Sequence, residues 1–256
     1  MKKTLTLFAV AMLLSGWLIA QEKAPMVTDR PDQTESASIV TLNGFQIETG
    51  FSFERYNSDI NNTTYNSTLV RYGLCEKIEL RLGLAYLGTN ISFDGGSFDE
   101  SGFAPIVVGA KFQLNEESEG LPKLALMTTF SLPNTGANVY ENKYLGADFR
   151  VNGEYSLNEA MSLGANLGVA WSGAEAGNTA VGVYTAVIGM SLSEKLGAFA
   201  ELYGFLPKDG KNDHRWDAGM TYSVNEDLQL DFATGIGLSK VSPDFFVSLG
   251  LSIRMP

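Results

Sequence analysis

The sequence predicts an all-β fold, a transmembrane antiparallel up-and-down β-barrel of about twelve strands. Three observations carry that prediction. Apolar and polar residues alternate at period two in segment after segment. The polar positions hold charges of both signs, interleaved with Gly and Ala, where a soluble sheet would show a Lys-rich surface. The connections alternate between short Glu-containing turns and longer loops.

The clearest stretch is 69–86. After the turn at Glu76-Lys77, Ile78, Leu80, Leu82, Leu84 and Tyr86 share one face, and Glu79, Arg81, Gly83 and Ala85 share the other. Before the turn, Val70, Tyr72 and Leu74 alternate with Arg71 and Gly73. A Leu/Ile face capped by Tyr suits lipid, and small residues with paired charges suit a crowded, wet interior. The competing all-β fold, a soluble sandwich, would leave that Gly, Ala and charged face to bulk water.

The bulk composition agrees. The chain of 256 residues is long enough for one barrel. Mean hydropathy is near zero, too low for a helical membrane protein but ordinary for a barrel, where only alternate residues meet lipid. Gly is abundant at 27, with 15 Phe and 10 Tyr. The net charge of −11 excludes a basic nucleic-acid footprint. Cys75 is the single cysteine, so no internal disulfide forms, and the single histidine, His214, excludes a His-rich metal site.

Residues 1–20 read as a secretory signal peptide: Lys2-Lys3, then an apolar run from Leu5 to Ile19, with cleavage expected near Ala20-Gln21. Residues 21–43 differ in kind. Thr28 to Ser36 is polar and charged and contains Pro31, so it is no lipid-facing strand; it is either a periplasmic tail or a plug folded into the lumen, with Asp29, Arg30, Asp32 and Glu35 as its charged candidates. The barrel is expected over 44–256, after the turn at Asn43-Gly44.

From there the alternation is nearly continuous. Phe45, Ile47, Phe51 and Phe53 oppose Gln46, Glu48, Gly50, Ser52 and Glu54. Next come the two strands of 69–86, then Ile106 to Leu114 with Lys111 inward, and Leu124 to Leu132. Leu145 to Tyr155 puts Asp148, Arg150, Asn152 and Glu154 inward, and Met161 to Trp171 sets leucines against Ser162, Gly164, Asn166 and Gly168. Tyr184 to Leu192 follows, then Leu196 to Tyr203, oriented with Glu201 inward because a charge facing lipid at mid-depth costs about 2–4 kcal/mol. Trp216 to Tyr222, Leu228 to Ile236 and Phe245 to Met255 complete the set, with Arg215, Asp217, Gln229, Asp231, Ser248, Gly250, Ser252 and Arg254 inward. Short turns fall near residues 76, 158, 194 and 226, and loops at 57–63, 87–103, 133–143, 172–178, 206–213 and 239–244. Tyr72, Tyr86, Tyr155, Trp171, Tyr184, Trp216 and Tyr222 sit near strand ends, as an aromatic girdle would.

The end of the chain, from Ser248 to Met255, resembles the terminal-strand motif by which bacterial barrels are recognised for insertion, with Met255 and Pro256 where an aromatic usually stands. The barrel-insertion machinery is thus an expected partner, along with outer-membrane lipid.

Thr28-Asp29-Arg30-Pro31-Asp32-Gln33-Thr34-Glu35-Ser36, Phe45-Gln46-Ile47-Glu48-Thr49-Gly50, Leu69 to Leu74, Glu79 to Gly83 and Glu201-Leu202-Tyr203-Gly204 together resemble the outer-membrane transporter family described as "Putative MetA-pathway of phenol degradation", in its Bacteroidota form. That resemblance implies an outer-membrane barrel with a transport role and a loose link to phenolic or hydrophobic compounds, without fixing a solute.

The lumen and selectivity candidates are Arg71, Glu79, Arg81, Lys111, Asp148, Arg150, Glu154, Glu201, Asp217 and Asp231. Buried charges need partners, so these should pair, with Arg71, Glu79 and Arg81 as the expected direct cluster. The network either sets selectivity or only props the barrel. No catalytic motif is present: His214 lacks a companion nucleophile, and no carboxylate pair is singled out by spacing. No cofactor and no metal site are expected. The reading is a non-enzymatic outer-membrane channel for passive passage of an unidentified small molecule, hydrophobic or aromatic compounds included. Its alternative is a structural or surface-binding barrel without an open pore, using loop 87–103.

Overall fold

The computed structural model describes residues 25–174 and 179–255. The expected signal peptide, 1–20, lies outside the described residues. The described chain forms one antiparallel sheet of thirteen strands: β1 (Phe45–Tyr56), β2 (Ile60–Cys75), β3 (Ile78–Phe93), β4 (Gly96–Phe103), β5 (Val107–Asn115), β6 (Lys123–Ser131), β7 (Gly146–Asn158), β8 (Met161–Trp171), β9 (Val181–Ser191), β10 (Leu196–Pro207), β11 (Asp213–Asn225), β12 (Leu228–Gly237) and β13 (Phe245–Met255). Sequence neighbours pair around the sheet, and the β1–β13 pairing closes it, with Phe45 opposite Met255 and Arg55 opposite Phe245. The result is a closed twelve-strand barrel with one extra strand.

The extra strand is β4. It corrects the expectation of a long loop at 87–103. β3 is 16 residues long. Ile78 to Gly83 pair with β5, and Tyr86 to Phe93 pair with β4. β4 and β5 thus share one edge of β3, interrupted at Ala104-Pro105-Ile106, where Pro105 has no N–H to give a ladder. The expected loop at 57–63 contracts for a related reason: the alternation of β2 runs back to Ile60, leaving a tight turn with Asn57 left-handed at φ 55°. His214, expected at a loop end, lies in β11, half-buried, with Nδ1 2.8 Å from the Tyr184 hydroxyl.

Short connections such as Cys75 to Ile78 and Asn225 to Leu228 fall at one end of the barrel together with Phe45 and Met255; the longest, 132–145, falls at the other with 238–244, beside the tight turns at 57–59 and 94–95. The outer face is apolar, with Leu80, Leu84, Leu163, Leu230 and Leu249 all exposed. The inside is the reverse of a soluble core. The largest fully buried side chains include Arg71, Lys111, Gln46, Glu48, Glu79 and Glu201. A fold that hides its charges and shows its leucines is at a free-energy minimum only with hydrocarbon around it.

Candidate functional site

Residues 25–43 run through the lumen and are bonded to the inward positions of most strands. At Asn43-Gly44 the chain turns into β1. Asn43 is left-handed at φ 59°, its N–H donates to the Gly73 carbonyl at 2.8 Å, and a Cβ on Gly73 would stand 2.0 Å from the Thr41 carbonyl oxygen. Only glycine lets β2 approach the segment that closely.

Asp29 is the centre of the first group of contacts. Its carboxylate accepts from Arg81 Nη1 at 2.6 Å and from Lys111 Nζ at 3.0 Å, and lies 3.4 Å from Arg71 Nη1. Its own N–H and that of Arg30 donate to the Glu48 carboxylate at 2.9 and 3.0 Å. Arg71 in turn bridges Glu48 at 2.7 Å and Glu79 at 2.9 Å, and Arg81 reaches Glu35 at 2.7 Å. Glu79 also accepts the Val40 N–H at 2.8 Å. Three cations and four carboxylates therefore interlock the segment with β1, β2, β3 and β5. Burial works against the Asp29 anion, but Arg71, Lys111 and Arg81 hold its carboxyl well below the usual range.

The second anchor is Arg30, whose guanidinium donates to Asp231 at 2.9 Å and to Ser248 Oγ at 3.0 Å. The third lies across the lumen. Glu201 accepts the Gln33 N–H at 2.8 Å and the Thr34 hydroxyl, and Asn166 pairs with the Glu35 backbone in both directions, at 2.7 and 2.8 Å. Gln46, Asn152 and Gln229 bind Val27, Ser36 and Thr28 of the segment.

Arg71, Glu79, Arg81 and Lys111 thus come together as one cluster, joined by Glu48. Asp231 and Glu201 are separate anchors, and Glu154 contributes one long contact, 3.4 Å from Ser38 Oγ. Asp148 and Arg150 pair mainly with each other at 2.7 Å. Asp217 stands beside Glu201, and Asp32 faces both: burial and these two carboxylates push Asp32 well above the usual carboxylate range. The amide residues Gln46, Asn152, Asn166 and Gln229 were legible as inward positions, but neutral side chains gave no signal of a seat for the segment. Among the described residues, no three acidic, histidine or cysteine side chains converge as metal ligands do.

The segment leaves cavities on both sides. Towards the long loops, one of about 400 Å³ is lined by Pro31, Tyr203, Phe205, Arg215 and Phe246, and another of about 350 Å³ by Arg81, Pro105, Met127 and Arg150. Towards the short turns, one of about 360 Å³ is lined by Asp32, Glu35, Gly164, Gly197 and Phe199. In the upper cavity the Arg215 guanidinium sits between the Tyr56 and Phe205 rings, 5.9 and 5.7 Å from their centroids, and is tied to Asp213 at 2.7 Å and Glu54 at 3.2 Å.

Comparison with solved structures finds the same architecture. The COG4313 outer membrane channel from Pseudomonas putida F1 superposes with a TM-score of 0.65 at 13% identity, over 86% of this chain and 98% of that one. The NanC porin gives 0.55 at 7% identity over 82% and 100%, and the KdgM porin 0.52 at 10% over 82% and 99%. At these identities the likeness is one of fold, that of outer-membrane channels and porins. No curated protein matches by sequence. Residues 28–255, which include both the charged segment and every strand, match a single family along their length, and the chain belongs to the family described as "Putative MetA-pathway of phenol degradation".

Proposed function

We propose that this protein is a passive outer-membrane channel for small molecules, hydrophobic and aromatic compounds included, and that residues 25–43 form a plug that narrows its lumen. The observation that carries the reading is the placement of 27–40 across a polar-lined barrel with a cavity on either side. The aromatic lining of the upper cavity, Tyr203, Phe205 and Phe246, supports an apolar or aromatic solute. We assign the protein no enzymatic role; its fold is that of channels. The apolar belt requires outer-membrane lipid, the short turns would face the periplasm, and β13 would be read by the insertion machinery.

The number of ties on the segment favours one alternative, a barrel without an open pore. The test is single-channel conductance of the refolded mature chain in a planar bilayer, with and without residues 21–43, beside uptake of a phenolic probe and of a sugar by proteoliposomes. Discrete steps that grow in the truncated form support a plugged channel. Absence of steps and of uptake in both forms, with folding shown by heat-modifiable gel mobility, overturns it in favour of the closed barrel. Uptake of the phenolic probe without ion steps assigns a route for uncharged solutes.

A further inference from the structure

Glu201 on β10 and Asp217 on β11 are direct cross-strand partners on the inward face. Both are almost completely buried, each with 1% of its surface exposed. Glu201 uses both carboxylate oxygens as acceptors for the plug, one for the Gln33 N–H at 2.8 Å and one for the Thr34 hydroxyl. Asp217 has neither: among the described residues no donor reaches either of its oxygens. The group opposite it across the strand pair is the Glu201 carboxyl itself. Two ionised carboxylates are acceptors only and cannot bond to one another. One of the pair must therefore carry a proton, and since Glu201 is already accepting at both oxygens, that one is Asp217.

We propose that Asp217 is a proton-binding site whose O–H donates to Glu201, and that this shared proton seats the Gln33-Thr34 turn of the plug. Among the described residues, the elements packed around the pair offer it no uncommitted cation. From the plug, Asp32 faces it and adds a third carboxyl. From β9, Thr185 lies 2.7 Å from Thr34 Oγ1 and is neutral. From β10 itself come Phe199 and Tyr203, and from β12 and β13 come Gly235 and Phe246, close enough that a Cβ on Gly235 would meet both Phe246 and the Asp217 Cβ. The cation on β11, Arg215, is committed to Asp213, Glu54 and Tyr56. Arg30, the nearest plug cation in sequence, is committed to Asp231.

The sign follows. While the pair holds one proton it carries a single negative charge, which the Gln33 N–H and Thr34 hydroxyl solvate. Raising the pH removes that proton and puts two like charges side by side in a space cut off from water, with Asp32 beside them. The turn is then repelled, and the lumen widens at alkaline pH. A shared proton accounts for Asp217 without a metal, since the three carboxyls do not converge as metal ligands do.

The inference rests on the plugged-channel reading for its conductance readout, so a second readout is independent of it. The first experiment compares conductance of the wild-type and Asp217→Asn proteins from about pH 5 to pH 9. Asparagine keeps the shape and donates permanently to Glu201. Wild-type conductance should rise with pH, and D217N should stay at the low-pH value throughout. Glu35 lies on the other side of the plug, and its carboxyl is pushed by burial up to about 7 against the pull of Arg81; it is untouched by D217N and retained in both proteins. A rise that persists unchanged in D217N therefore assigns the effect to Glu35 or Asp32 and overturns the proposal. The second experiment is infrared difference spectroscopy of the folded protein in detergent. It should show protonated-carboxyl absorption near neutral pH that is weaker in D217N by the contribution of one carboxyl, Asp32 and Glu35 being retained in both proteins. An identical band in both proteins, or none in the wild type, overturns the proposal whether or not the barrel conducts. Addition of Ca²⁺ or a chelator at fixed pH should change neither readout; a change would replace the proton by a metal ion.

Discussion

Gly50 and Gly250 face each other directly across the β1–β13 seam, and the space that two side chains would fill is taken by the guanidinium of Arg30. A Cβ on Gly50 would stand 2.4 Å from that group, and one on Gly250 2.3 Å. The pair forms a slot in the barrel wall, with Asp231 and Ser248 placed to bind what lies in it. Gly250→Ala should expel Arg30 from the slot and cost about 1–3 kcal/mol of stability through overpacking. Urea unfolding in detergent micelles would measure this, and a wild-type midpoint would show that Arg30 can rest elsewhere at no cost.

Arg71 is the cation most dependent on the fold. Its side chain is fully buried between Glu48 and Glu79. Replacing it by Met removes one charge, takes from the buried Glu48 its guanidinium partner and leaves Glu79 with Arg81 alone among the cations bridged to it. Arg71→Met should destabilise the barrel by about 3–5 kcal/mol, read as a lowered unfolding midpoint or as failure to reach the heat-modifiable form. Removing Glu79 as well should recover part of that loss, because fewer unpaired charges remain.

The outward face makes the opposite demand. Leu249 lies on β13 between Val247 and Leu251 and is exposed. Leu249→Arg should cost about 2–4 kcal/mol if the position sits at mid-depth in the bilayer, seen as reduced folding yield into liposomes. Equal yields in detergent and in lipid would argue that this face does not meet hydrocarbon.

Tyr184 and His214 meet on the outer surface near the long-loop end, 2.8 Å apart. Tyr184→Phe should lower stability by no more than about 1 kcal/mol and leave conductance unchanged. A larger loss of transport would give the Tyr184–His214 pair a role in passage rather than in packing alone.

Much of this protein is set locally and could be read from the chain. Period-two alternation assigned nearly every strand and its inward residues, because a strand has only two faces and lipid accepts only one of them. The pairing of Arg71, Glu79 and Arg81 was legible for the same reason: adjacent inward charges in a closed lumen have only one another to meet. Two things were not legible. The split of one strand position into β4 and β5 depends on Pro105 meeting the long edge of β3, a register that exists only once the sheet has formed. The composition of 21–43 allowed either a tail or a plug, because a polar segment suits water and a polar lumen equally well. The course of 25–43 through the lumen is visible only in the tertiary structure, and its action as a plug is our proposal. Barrel closure brings Arg81, Lys111 and Asp231, from β3, β5 and β12, around one space, and only there do the charges of Asp29 and Arg30 find partners at hydrogen-bonding distance.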